Sequence, residues 1–213
     1  MFDEISRHAV VPVIALDDAA AALPLADALI AGGLPVAEIT FRTAAARDTI
    51  AAIATHRPEL LVGAGTVLDE AQVDAARDAG ARFALSPGID EPVLAHARRR
   101  GLPFAPGIMT PTDIQRALRH GCAMVKFFPA VAAGGPAMLR AIAAPYAHTG
   151  LGFNPTGGVT PENLGDWLAI PEVRAVGGTW IATRADIAAG RWERIADNAR
   201  AAVRRVAEIR AAR

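Results

Sequence analysis

The feature that most restricts how this chain can fold is a rhythm. Eight short apolar runs recur along it, beginning near Val10 (VVPVIAL), Val36 (VAEITFR), Leu60 (LLVGAGTV), Phe83 (FALSPG), Leu102 (LPFAPGI), Met124 (MVKFFPA), Leu151 (LGFNPTGG) and Val173 (VRAVGGTWI). Between them lie amphipathic, Ala-rich segments such as DEAQVDAARDAG, EPVLAHARRRG and TPTDIQRALRHG. These open on acidic or Thr-Pro residues and close on basic residues followed by Gly, the polarity expected of capped helices with compensated macrodipoles. Continuous apolar runs suit strands buried on both faces, and their alternation with helices implies a parallel sheet. Eight units in 213 residues, about 27 residues each, match a single (β/α)8 TIM barrel in count and order. The competitor is an open doubly wound sheet. Its G-x-G-x-x-G fingerprint is absent, because the first run leads into LDDAAAALP. No low-complexity stretch, charged tail or Ser/Gly linker interrupts the pattern, so residues 1–213 read as one domain.

Charge narrows the partners. The 22 basic and 22 acidic side chains balance to zero, which argues against a nucleic-acid partner and gives no reason to expect an anionic membrane surface. The single cysteine, Cys122, rules out an internal disulfide framework and fits a reducing compartment. The start, MFDEISRHAV, has no basic n-region followed by an apolar h-region, and the uncharged stretch from Ala141 to Pro161 is broken by prolines and glycines. A soluble, cytoplasmic protein is expected. Within the basic total, 21 residues are Arg and one is Lys, at position 126. Composition bias accounts for abundant Arg and Ala, but it makes the surviving lysine the first residue to examine.

In a barrel, active sites sit at the C-terminal ends of the strands. The second run places Glu38, Thr40 and Arg42 on one face and Ala37, Ile39 and Phe41 on the other. In the sixth run, Lys126 alternates with Val125 and Phe127. A carboxylate and an amine thereby enter an interior that is otherwise apolar. One reading is a buried ion pair that fixes packing. The other is chemical: an amine can lose its proton and attack a carbonyl, whereas a guanidinium effectively cannot. A structural cation would be served as well or better by Arg, which this chain uses everywhere else. With Arg42 added, one positive charge is left over, which calls for an anionic ligand. The seventh run ends in Pro155-Thr156-Gly157-Gly158 and the eighth in Gly177-Gly178-Thr179. Paired glycines there expose backbone N–H groups, the usual barrel phosphate site, so a phosphorylated ligand is expected.

Other candidates carry less. His8, His56, His96, His120 and His148 are scattered without metal-ligand spacing, so no metal and no cofactor are expected. No nucleophile elbow or P-loop is present. Cys122 reads as a small core residue, and Arg98-Arg99-Arg100 as a solvated helix end.

Taken in order, AEITFRT, GAGTV, LSPG, PGIMTPTD, VKFFPA, NPTGGVTPEN and VGGTW resemble the class I aldolases of 2-keto-3-deoxy-6-phosphogluconate (KDPG) and 4-hydroxy-2-oxoglutarate (KHG). The resemblance runs from about Val10 to about Ala199. It implies a (β/α)8 barrel, a homotrimer and a role in sugar-acid breakdown of the Entner–Doudoroff type. By the same resemblance Lys126 is the Schiff-base lysine, Glu38 the acid/base and Arg42 the partner of the substrate carboxylate. Thr66, Pro87, Phe128 and Thr156 match the substrate pocket, and Gly157, Gly158, Gly178 and Thr179 the phosphate cradle. Thr179 stands where Ser is common, and Met109 and Asn154 stand where smaller residues are usual. Two alternatives stay open: an aldolase for the galactonate epimer, and a non-catalytic sugar-phosphate binder.

Overall fold

The computed structural model describes residues 1–212. Every apolar run contributes strand, as β1 (Val10–Ile14), β2 (Val36–Thr40), β3 (Leu61–Gly65), β4 (Ala84–Leu85), β5 (Phe104–Ala105), β6 (Gly107–Ile108), β7 (Met124–Phe127), β8 (Gly152–Pro155) and β9 (Val176–Gly178). The fifth run therefore supplies two strands rather than one. Pro106, which has no N–H to donate, separates them, and the chain changes partners there: β5 pairs with β4 and β6 with β7. All pairings are parallel. They form a six-stranded sheet, β5-β4-β3-β2-β1-β9, and a three-stranded sheet, β6-β7-β8. The larger sheet curls so that its inner face meets the smaller one, since Glu38 on β2 touches Lys126 on β7.

Helices fill the intervals: α1 (Phe2–His8), α2 (Ala22–Ala31), α3 (Ala46–His56), α4 (Glu70–Asp78), α5 (Glu91–Arg99), α6 (Pro111–Arg119), α7 (Gly135–Ala143), α8 (Leu164–Leu168), α9 (Arg184–Ala188) and α10 (Trp192–Ala211). Their starts obey local chemistry. Asp69 and Asp90 accept from the backbone N–H of Gln72 and Val93, capping α4 and α5. Thr110 and Asp113 form a reciprocal capping box ahead of α6, with Pro111 in its first turn. Each cap contributes about 0.5–2 kcal/mol. The apolar faces of these helices and both faces of the strands share one core, in which Phe83, Phe127, Phe153 and Trp167 are the bulkiest fully buried side chains. No helix among the described residues is long and apolar enough to cross a membrane.

Three surface features refine the sequence reading. Arg99 and Arg100 do more than meet solvent at a helix end: they pair across to Glu70, Asp74 and Asp78 of α4. All five histidines lie at helix ends or in the 3-10 turn after α7, and His96 Nε2 meets Asp74 at 2.8 Å. Cys122 is only partly buried. It packs on the core and also lines a cavity of about 450 Å³ at the N-terminal ends of β5 and β7, the side remote from the strand C-termini.

Candidate active site

Strand register assembles the site. On β2, Glu38 lies between Val13 of β1 and Gly63 of β3; on β7, Lys126 lies between Gly107 of β6 and Asn154 of β8. Alternation turns both side chains inward, and they meet there with Lys126 Nζ donating to Glu38 Oε1 at 3.0 Å. Glu38 is 0% exposed and Lys126 4%. Burying two ions is costly unless the remaining polar valences are filled, and here they are not: Glu38 Oε2 is buried without a hydrogen-bond partner. An orphaned carboxylate oxygen costs at least about 1–3 kcal/mol. A pair serving packing alone would be expected to have that oxygen satisfied. Beside the amine it is an unfilled acceptor.

Room for that carboxylate comes from β3. A Cβ on Gly65 would stand 2.2 Å from Glu38 Oε1, so only glycine permits Glu38 its position. On the other side, the Phe128 ring lies 5.5 Å from Lys126 Nζ, close enough for a cation–π contact. The next residue on β3's exit, Thr66, takes φ 56°. For a β-branched residue that left-handed conformation costs about 1–3 kcal/mol, and such strain concentrates at functional sites. It is held by backbone bonds on both flanks, from Phe41 N–H to Gly65 and from Val67 N–H to Leu85. Pro87 sits with its carbonyl against Gly107, the strand partner of Lys126.

The remaining candidates gather at the same strand ends. Thr156 is buried, and its hydroxyl donates to Asn154 Oδ1 at 3.2 Å. Gly157 and Gly158 follow at φ 99° and 81°, conformations that only glycine adopts freely. Their turn is tied to the end of β7, with Ala130 N–H donating to Thr156 and Val131 N–H to Gly157. Gly178 ends β9 and Thr179 is exposed just beyond it. Thr179 and Arg42, both exposed, line one cleft of about 290 Å³ over the ends of β1, β2 and β9. The eleven predicted residues thus lie at or next to the C-terminal ends of their strands, apart from Glu38 and Lys126, which sit one layer deeper.

Sequence reasoning undervalued two polar residues. Asn154 is 1% exposed beside Lys126 and orders Thr156, a position deeper than a rim residue that merely reshapes the pocket. Thr40 shares the inward face with Glu38, and its hydroxyl donates to the Ile14 carbonyl at 2.9 Å. Parity with Glu38 and Lys126 was the signal for both. Among the described residues no group of three or more His, Cys, Asp or Glu side chains gathers as a metal site would require.

The chain is similar to known proteins over nearly its whole length. The sequence is 45% identical over 195 residues to the 2-dehydro-3-deoxy-phosphogluconate aldolase of Treponema pallidum, covering 92% of each chain. It is also 45% identical over 194 residues to the KHG/KDPG aldolase of Escherichia coli K12, covering 91% of this chain and 90% of that one. Among solved structures, the KDPG aldolase of Legionella pneumophila, which holds pyruvate captured at low pH as a covalent carbinolamine, superposes with a TM-score of 0.89. It shares 37% identity over 94% of this chain and 97% of that one. The sequence model of KDPG and KHG aldolases matches residues 2–198, and the chain belongs to that family.

Proposed function

We propose that the chain is a Schiff-base aldolase that reversibly cleaves KDPG to pyruvate and glyceraldehyde 3-phosphate, and KHG to pyruvate and glyoxylate. The observation that carries this is the buried contact of Lys126 Nζ with Glu38 Oε1 at 3.0 Å, beside an unpartnered Glu38 Oε2. Glu38 takes a proton from Lys126, and the neutral amine attacks the C2 ketone to give a carbinolamine. Glu38 returns the proton to the carbinolamine hydroxyl, which leaves as water, so that a protonated imine forms and Glu38 is a carboxylate again. Glu38 then removes the C4 hydroxyl proton as the C3–C4 bond breaks. Its electrons flow into the imine, leaving the enamine of pyruvate, and the aldehyde departs. Protonation at C3 by Glu38 and hydrolysis release pyruvate and restore Lys126.

Arg42 holds the substrate carboxylate in a two-pronged contact, and Thr66, Pro87, Phe128 and Thr156 wall the pocket. Gly157, Gly158, Gly178 and Thr179 cradle the phosphate through backbone N–H groups and one hydroxyl. Residues 1–213 form one domain, a closed (β/α)8 barrel. Support for closure comes from Pro106, which joins the two sheets at one seam, and the bridge Thr156↔Gly177, which spans the other. The enzyme acts in the cytoplasm as a homotrimer, consistent with exposed Val131 and Met138 beside the β7 exit. Light scattering at a monomer mass would remove the trimer.

A substrate panel tests the reaction. Pyruvate release should be fastest, by kcat/KM, from the gluconate-derived compound, slower from its galactonate epimer and slower again from KHG. Absence of pyruvate from all three would defeat the proposal.

A further inference from the structure

The cleft that holds Arg42 carries a second guanidinium. Its wall combines Thr40 and Arg42 at the exit of β2 with Thr179, Thr183 and Arg184 after β9. Arg184 opens α9 and makes a two-pronged contact with Asp17, in the loop after β1; its Nε donates to Asp17 Oδ2 at 2.6 Å and its Nη2 to Oδ1. The neighbouring Asp18 is otherwise engaged, capping Ala20 N–H at 2.9 Å. Arg42 forms no ion pair among the described residues, so the cleft offers two cations against one rim carboxylate.

The Arg184–Asp17 pair is weakly held. The side chains are 59% and 58% exposed, and ion pairs so open to solvent contribute little. Hydrogen bonding from Arg184 keeps the Asp17 carboxyl below its ordinary range, so it stays ionised and competes for the guanidinium at neutral pH. A guanidinium fork fits a phosphate as well as a carboxylate, and a dianion draws it more strongly. Phosphate seated at Thr179 would enter the cleft that Arg184 lines.

We infer that Arg184 is a further ligand for the phosphate end of the substrate, latched by Asp17 in the free protein and transferred to the phosphate on binding. This rests on the aldolase reading and adds to it. The backbone cradle supplies neutral donors only, so Arg184 would be the charged determinant that favours phosphorylated over unphosphorylated keto acids.

The test is calorimetric binding of inorganic phosphate at low, fixed ionic strength to the full chain and three variants. Arg184→Ala should weaken binding roughly tenfold, the scale of one charge-assisted contact. Asp17→Asn should tighten it by up to about fivefold, the strength of the exposed pair it removes. The double variant should match Arg184→Ala. Phosphate affinity unchanged by Arg184→Ala, or an equal gain from Asp17→Asn with and without Arg184, would overturn the inference. Borohydride trapping of pyruvate, which has no phosphate, separates the two readings. Failure of trapping in the unaltered chain, with the phosphate results intact, would sink the aldolase assignment and leave Arg184 as an anion ligand.

Discussion

Gly65→Ala should cripple the site without unfolding the protein. The added Cβ would lie 2.2 Å from Glu38 Oε1, 2.7 Å from Cγ and 2.8 Å from Cδ. Carbon atoms sit comfortably about 3.5–4.0 Å apart, so the carboxylate has to retreat by about 1 Å. Its bond to Lys126 starts at 3.0 Å and would not survive that shift. Displacing a catalytic group by about 1 Å costs on the order of 10²-fold in rate, and that is the expected loss in kcat. Overpacking adds a stability cost of about 1–3 kcal/mol, which for a chain of this size lowers Tm by roughly 2–12 °C. Coupled-enzyme detection of pyruvate reads the first effect and a circular-dichroism melt the second. Glu38→Asp, which shortens the offending side chain, should destabilise less in the Gly65→Ala background than alone, because the two residues are in contact. Full additivity of the two substitutions, or activity of Gly65→Ala within threefold of the parent, would refute the steric reasoning.

Two further outcomes follow from the same geometry. Lys126→Arg keeps a cation beside Glu38, so the protein should fold, yet kcat should fall by at least about 10⁴-fold because a guanidinium cannot form the imine; a loss under tenfold would remove Lys126 as nucleophile. Burial pushes the Cys122 thiol up from 9.0 to about 11. The reactive thiolate is therefore scarce below that value. Iodoacetamide at pH 8 should label Cys122 about a hundredfold more slowly in the native protein than in guanidinium, with labelling rising as pH approaches 11. Equal rates by mass spectrometry would contradict this.

Much of the fold was legible because its signals are local. Asp69, Asp90 and Thr110 cap the helices they announce, through bonds spanning three residues. Period-two alternation turned Glu38 and Lys126 inward correctly, because a strand covered on both faces has few other ways to place a charge. The hidden parts depend on neighbours distant in sequence. LPFAPGI reads as one strand, and only pairing reveals the change of partner at Pro106. GAGT reads as a glycine-rich strand end, yet the role of Gly65 is to make room for a side chain on the adjacent strand. Nothing local in LDDAAAALP marks Asp17 as paired, because its partner, Arg184, lies 167 residues away. Arg99 and Arg100 likewise looked solvated until α4 brought its carboxylates alongside. The left-handed backbone of Thr66 gave no signal, since its strain belongs to the turn and not to its residue type.

The central claim is that the lone lysine is a nucleophile and not merely half of an ion pair. Incubating the protein with pyruvate, reducing with borohydride and mapping peptides by mass spectrometry tests it directly. A reduced pyruvate adduct on Lys126, absent when pyruvate is omitted and accompanied by stoichiometric loss of activity, is the predicted result. An unmodified Lys126 in an enzyme that still releases pyruvate would contradict the account.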